Sequence, residues 1–207
     1  GQLANYAELR AKLLNEGEHH LARDTDTEII MHELGRELSS GAPGRDLADV
    51  FSEVAREFDG AYSLAFLNAR GELLVARDPL GIKPLCYALE GPLFAAASES
   101  VALLNLGFQP ESIRSLLPGH LIVVNPEGVR IKQFIRSTRT AHCFFEWIYF
   151  ANVASTLDER SVYLSRTRLG EELARIEVAE NRVVIDEDTI VVPVPDTSKA
   201  AADAMAF

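Results

Sequence analysis

Between residues 60 and 100, four short apolar runs are separated by turn residues. They are 60–67 (Gly-Ala-Tyr-Ser-Leu-Ala-Phe-Leu), 72–76 (Glu-Leu-Leu-Val-Ala), 86–89 (Cys-Tyr-Ala-Leu) and 93–97 (Leu-Phe-Ala-Ala-Ala). Such close spacing predicts consecutive antiparallel strands, apolar enough on both faces to be covered on both sides. The stretch Asn68-Ala69-Arg70-Gly71 reads as a hairpin turn. Pro79, Gly81 and Pro84 make the next connection a shaped loop, because proline fixes φ and removes a donor. Upstream the period changes to that of helices. Residues 6–16 place Tyr6, Leu9 and Leu13 on one face, with Asn5 and Gly17 as predicted caps. A second helix opens at Asp24-Thr25-Asp26-Thr27-Glu28 and runs through Ile29, Ile30, Leu34 and Leu38, with Thr25 or Asp26 as N-cap. A third, 46–58, starts at Asp46 and turns Leu47, Val50, Phe51, Val54 and Phe58 inward.

Other segments are shorter. His19 to Ala22 reads as a strand. Adjacent histidines on a strand point to opposite faces, so His19 and His20 are poor co-ligands for one metal. His32 falls inside the second helix and reads as structural. Residues 99–106 predict a short helix. Pro118-Gly119-His120 predicts a turn, and 121–124 with 129–131 a hairpin around Asn125-Pro126-Glu127-Gly128. The polar, basic run 135–141 is the linker candidate. The β-branched run 189–194 predicts a strand, followed by a turn and a helix starting near Ser198-Lys199.

Composition narrows the partners. The chain has 207 residues, 47% of them hydrophobic and 25% charged, enough for one large domain or two small ones. A net charge of -11 argues against a nucleic-acid backbone or an anionic membrane as general partner. The apolar runs are too short to span a membrane. Two cysteines, Cys86 and Cys143, give no disulfide framework, which points to a reduced, cytoplasmic setting. Residue one is Gly rather than Met, and the first residues do not read as a signal peptide.

Several motifs add a resemblance. Arg77-Asp78-Pro79-Leu80-Gly81-Ile82-Lys83-Pro84-Leu85, followed by Ala97-Ser98-Glu99-Ser100, resembles the glutaminase domain of class II glutamine amidotransferases. These are N-terminal-nucleophile hydrolases with an αββα sandwich. Gly1-Gln2-Leu3-Ala4-Asn5 with Glu8-Leu9 resembles the tail of their Asn-Gly-Asn-Leu-x-Asn…Glu-Leu motif, Gln2 replacing an Asn. The resemblance implies that the Gly1 N–H belongs to an oxyanion hole, which stabilises charge developing on the amide oxygen. Thr25-Asp26-Thr27-Glu28 is similar to Ser/Thr-Asp-Ser/Thr-Glu, and implies that Asp26 holds the α-amino group of glutamine. Helix capping by the same residues is the plain alternative, and the two are compatible.

Residues 143–151, Cys-Phe-Phe-Glu-Trp-Ile-Tyr-Phe-Ala, resemble Cys-x-x-Glu-Tyr-x-Tyr-Phe-Ala of the amidophosphoribosyltransferases, a stretch not expected in asparagine synthetases. Ala151-Asn152-Val153-Ala154-Ser155 departs from that family's Ala-Arg-Pro-Asp-Ser. The resemblance implies an α+β fold: an incomplete αββα sandwich over 1–140, then the start of an α/β phosphoribosyltransferase domain over 141–207. The implied reaction takes glutamine and phosphoribosyl pyrophosphate to phosphoribosylamine, at the head of purine synthesis. It implies a pyrophosphate loop at Asp196, Thr197 and Ser198, with Thr197 at a position associated with Mg²⁺. A turn from strand to helix aims N–H groups at one point and suits phosphate. Cys143 corresponds to a ligand of a 4Fe-4S cluster in some members, or else is a small buried hydrophobe. A cluster needs about four thiolates, and this chain has two.

The family's nucleophile is a residue-one cysteine whose own amine is the base. Residue one here is Gly, and Cys86 and Cys143 are internal. The expectation is an internal fragment without turnover, from a protein that is a homo-oligomer when whole. It is also expected to expose apolar surface and to associate or be weakly stable. Another class II amidotransferase of the asparagine synthetase type, or a catalytically dead regulatory or scaffold homologue, are the alternatives.

Overall fold

A computed structural model of the protein describes residues 1–15, 20–41, 44–181 and 184–207. In chain order the elements are β1 (Gln2–Leu3), α1 (Tyr6–Asn15), α2 (Asp26–Ser40), α3 (Leu47–Val54), β2 (Gly60–Ala61), β3 (Ser63–Leu67) and β4 (Leu73–Arg77). There follow β5 (Cys86–Glu90), β6 (Leu93–Ala97), α4 (Ser100–Asn105), β7 (Ile113–Ser115), β8 (His120–Asn125) and β9 (Gly128–Gln133). The last are β10 (Thr156–Leu157), β11 (Arg160–Ser161), α5 (Val162–Glu180) and α6 (Lys199–Ala206). The fold is α+β. Its contacts divide into two units that interleave along the chain: residues 1–83 with 116–142, and residues 84–115 with 143–207.

In the first unit, an antiparallel sheet of order β3-β4-β8-β9 carries the core. Val75 pairs with Ile122, and Ile122 with Ile131. Strand β4 is buried from Leu74 to Arg77, as a strand apolar on both faces should be. The helices add Leu9 and Leu13 from α1, Ile29, Ile30 and Leu34 from α2, and Val50, Phe51 and Val54 from α3 to one cluster with Leu74, Ala76 and Leu121. Each such buried side chain contributes about 1.5–3 kcal/mol. Helix α2 begins where its cap predicts: the Thr25 hydroxyl accepts the Glu28 N–H at 3.4 Å. Helix α3 is capped by Asp46, whose Oδ1 accepts the Ala48 N–H at 2.8 Å.

The second unit has its own antiparallel sheet, β6-β5-β7, in which Cys86 lies between Ala97 and Ser115. Here α4 adds Leu103 to a small cluster with Cys86 and Ala88. Ser161 caps α5 by accepting the Leu164 N–H at 3.2 Å. The buried Arg166 guanidinium of α5 donates to the carbonyls of Trp147 (2.9 Å) and Ala151 (2.8 Å), closing the wide helical turn Glu146–Phe150. Glu99 does not cap α4. Its Oε2 accepts from the Asn152 N–H at 2.8 Å and the Ser155 hydroxyl at 2.7 Å.

Several expectations are corrected. The four runs of 60–97 are not one meander: β3 and β4 belong to one sheet, β5 and β6 to another. The chain leaves the first sheet at Arg77-Asp78, where buried side-chain bonds replace the ladder. Asp78 accepts the N–H groups of Leu80, Ile82 and Lys83 at 3.0–3.1 Å. Arg77 donates to the carbonyls of Lys83 (2.7 Å), Leu116 (2.8 Å) and Gly81 (3.1 Å). Residues 20–22 form no strand; His19 and the predicted cap Gly17 lie outside the described residues. Asn5 begins α1 through its carbonyl, because its side chain is engaged by the Glu57 carbonyl (2.8 Å) and the Asp59 N–H (3.2 Å).

At the end of the 135–141 run the Ala141 N–H donates to the Leu80 carbonyl at 2.8 Å, within the first unit, which ends at His142. The β-branched run 189–194 is not a strand. Among the described residues none pairs with it, and Ile190, Val192 and Val194 stand exposed. Strand propensity is realised only against a neighbouring strand. Among the described residues no helix is long and apolar enough to cross a membrane.

Candidate functional site

The N-terminal strand and the start of α2 build one pocket in the first unit. Strand β1 pairs with β2, Gln2 opposite Ala61 and Leu3 opposite Gly60. This brings Gly1 against the backbone of Ala61 and Tyr62. A Cβ at Gly1 would lie 2.4 Å from the Ala61 carbonyl oxygen, so a larger residue would have to displace main chain. Gly1, Gln2, Tyr6, Asp24, Thr25 and Asp26 line a pocket of about 300 Å³.

Asp26 is the first residue of α2, where the positive end of the helix favours a carboxylate. Its Oδ2 accepts the Leu3 N–H at 3.1 Å. That bond orients the side chain toward the strand carrying Gly1. Among the described residues no partner engages its other oxygen, which leaves an acceptor for a ligand's ammonium group. Asp24 stands on the same wall, 3.3 Å from the Arg10 Nε and 3.4 Å from the Tyr6 hydroxyl. The pocket thus sets a carboxylate acceptor beside a backbone position that admits only glycine.

The turn leading into α2 is held by a residue the motif contains but sequence reasoning gave no task. Glu28 reaches back over the first helical turn. Its two oxygens accept the N–H groups of Ala22 and Arg23, both at 2.7 Å. The Ala22 bond holds its carboxyl below the ordinary range; burial opposes it next, and the Arg23 amide with the charges of His32 and Arg23 add to the lowering. The Thr-x-x-Glu spacing signals a capping box; that the carboxylate passes its usual target for residues 22 and 23 could not be read from it.

The other predicted site residues fall in the second unit. Asp196, Thr197 and Ser198 form the turn before α6. Asp196 is paired with Lys199, which lowers its pKa, and the Ser198 hydroxyl donates to the Val194 carbonyl. Thr197 is half-buried. Cys143 is half-buried ahead of the Glu146–Phe150 turn, its carbonyl accepting the Glu146 N–H at 3.0 Å. Cys86 is buried, with its thiol 3.2 Å from the Ala97 carbonyl. Among the described residues no cluster of three metal-ligating side chains occurs.

Comparison with known proteins adds three results. Residues 1–105 match the glutamine amidotransferase domain family. Over 98% of its length the chain is 38% identical to the amidophosphoribosyltransferase of Methanothermobacter thermautotrophicus, covering 40% of that protein. It is 33% identical to the Escherichia coli amidophosphoribosyltransferase over 96% of its length and 40% of that protein. It therefore spans about two fifths of the curated relatives it matches. Among solved structures, the Bacillus subtilis glutamine phosphoribosylpyrophosphate amidotransferase complexed with ADP and GMP superimposes with a TM-score of 0.84 at 29% identity, covering 99% of this chain and 42% of that one. A structure described as the allosteric regulatory enzyme of purine biosynthesis gives 0.83 at 30% identity, covering 99% and 41%.

Proposed function

Because the chain belongs to the glutamine amidotransferase domain family, we propose that it is the glutamine-holding part of an amidophosphoribosyltransferase, joined to the start of the transferase domain. The observation that carries this is the fixed carboxylate of Asp26 in one pocket with Gly1. In this reading the free oxygen of Asp26 accepts from the substrate's α-ammonium. The Gly1 N–H faces the side-chain amide oxygen as it becomes negative. A cysteine thiolate attacks the amide carbon, the C–N bond breaks, ammonia leaves, and water hydrolyses the thioester to glutamate. Neither cysteine here is that thiol. Cys86 is buried against a carbonyl, and both are internal with no free amine. The reading therefore assigns the nucleophile to a residue outside this sequence, and these 207 residues to binding without turnover.

The downstream half of the reading assigns residues 1–140 to the incomplete sandwich and 141–207 to the transferase. Asp196, Thr197 and Ser198 would take the pyrophosphate of phosphoribosyl pyrophosphate, to which the ammonia is delivered. Hydroxyl and carboxylate oxygens suit Mg²⁺, and Thr197 would contribute one while substrate phosphates and water supply the rest. Bound there, Mg²⁺ would neutralise charge on the leaving pyrophosphate. An iron–sulfur cluster does not fit these residues: of two thiols one is buried and engaged, leaving Cys143 as at most one ligand. The protein is proposed to act in the cytoplasm as a homo-oligomer. The motif at 143–151 and the similarity across the whole chain favour this over an asparagine synthetase.

The test is a titration of the ¹⁵N-labelled chain with L-glutamine. Saturable shifts at Gln2, Leu3 and Asp26 are expected, absent with D-glutamine and weakened more than tenfold by Asp26→Asn, the equivalent of about 1.4 kcal/mol. No saturable shift at up to about 50-fold the concentration expected for a weak site, on the order of 1 mM, overturns the reading. Release of ammonia by the 207-residue chain would overturn the assignment of the nucleophile elsewhere.

A further inference from the structure

The segment entering α2 is held by side chains, Leu21 packing against the core and Asp24 meeting Arg10 and Tyr6. Residues 20–25 adopt no regular structure, yet Asp24 and Thr25 form one wall of the Asp26 pocket. A wall without ladder bonds must be fixed by side chains if the pocket is to keep its shape. Two residues at the start of α2 do this from opposite directions. Thr25 accepts the Glu28 N–H, and Glu28 accepts from Ala22 and Arg23. Both carboxylate oxygens are used, each on a different amide. These are charge-assisted bonds, about twice as strong as neutral ones, and a pair of them fixes direction as well as distance.

We propose that Glu28 is the positioning residue of this pocket: by clamping the amides of Ala22 and Arg23 it sets the turn that aims Asp26 at Leu3 and presents its free oxygen to the ligand. Glu28 does not touch the ligand. It acts through the turn, and the inference rests on the reading of the pocket as a glutamine site only for the identity of that ligand.

The substitution Glu28→Gln keeps the side chain's size but replaces one acceptor by a donor. One of the two N–H groups would then face an NH₂, and the clamp would become single. His32 Nε2 lies 3.9 Å from Glu28 Oε1, beyond hydrogen-bond distance. The Leu3 amide reports the outcome directly, because its N–H is bonded to Asp26 rather than to Glu28. A purely structural role for Glu28 would lower thermal stability, and speed exchange at all core amides alike, without moving the Leu3 chemical shift.

The experiment compares the whole chain with Glu28→Gln, Glu28→Asp and, as a control on the same helix, Glu37→Gln, which removes an ion pair with Arg45 away from the pocket. Amide exchange and the chemical shift at Leu3 are read first, then affinity for L-glutamine. Faster exchange at Leu3 in Glu28→Gln but not in Glu37→Gln is expected, with glutamine binding weakened about tenfold, as for one lost charge-assisted bond. Glu28→Asp, which keeps both oxygens, should lie between wild type and Glu28→Gln. A Leu3 amide unchanged in a folded Glu28→Gln protein overturns the proposal. So does an equal change at Leu3 in Glu37→Gln. If Leu3 responds while the wild-type chain binds no glutamine, the positioning role stands and the ligand assignment fails.

Discussion

Replacing Asp78 by Asn tests the turn that parts the two sheets. The carboxylate is completely buried and serves three amides: Leu80 and Ile82 on one oxygen, Lys83 on the other. Whichever way the substituted carboxamide is turned, its NH₂ faces at least one of those donors. A buried donor left unpaired costs about 1–3 kcal/mol. A loss of about 1–3 kcal/mol is therefore expected, a sizeable part of the ~5–15 kcal/mol that holds a domain folded. Urea unfolding followed by far-ultraviolet circular dichroism measures it, and amide exchange at Leu80, Ile82 and Lys83 shows whether the loss is local in origin. A change below about 1 kcal/mol, with those amides still protected, would refute the claim that Asp78 organises the turn.

Two further outcomes follow from single groups. Tyr62 is buried with its ring edge-on to Phe58, and its hydroxyl has no partner among the described residues; burial, then the charge of Asp78, pushes its pKa up. Tyr62→Phe should therefore be neutral or stabilising by up to about 1 kcal/mol in the same urea titration, and a loss above about 1 kcal/mol would mean the hydroxyl is satisfied in solution. Burial pushes the Asp46 carboxyl up, but the bonds from Arg130 and the Ala48 N–H outweigh it and hold the group below its ordinary value near 3.8. Its contribution is therefore complete above about pH 4 and is lost as pH falls through the lower folded value. The gap in melting temperature between wild type and Asp46→Asn should be full at neutral pH and close on acidification; a constant gap from about pH 2.5 to 7 would contradict this.

What the sequence showed depended on how local each cause is. The starts of α2 and α3 were legible because Thr25 and Asp46 act on amides two or three residues away. The β8–β9 hairpin was legible for the same reason. The partition into two sheets was not. It depends on β4 pairing with β8 and β5 with β7, across intervals no periodicity reports, and on buried bonds from Arg77 reaching Leu116. Residues 189–194 show the limit from the other side. Their β-branched pattern describes what the segment would do beside another strand, and among the described residues none pairs with it. In the pocket, Asp26 and Gly1 came from motif resemblance, and geometry brought them together. The reach of Glu28 to residues 22 and 23 required coordinates.

The Glu99 bridge bears on where this polypeptide can be cut. Residues 1–105 carry the family match, yet Glu99 and Ser100 bond to the backbone and hydroxyl of residues 152, 155 and 156, and Ser115 accepts from the amide of Asp158. A protease nick near residue 140 would leave both pieces associated, since the strap crosses the cut. Expression of residues 1–140 alone would instead strand a carboxylate and two hydroxyls, and the shorter product should be the more readily digested.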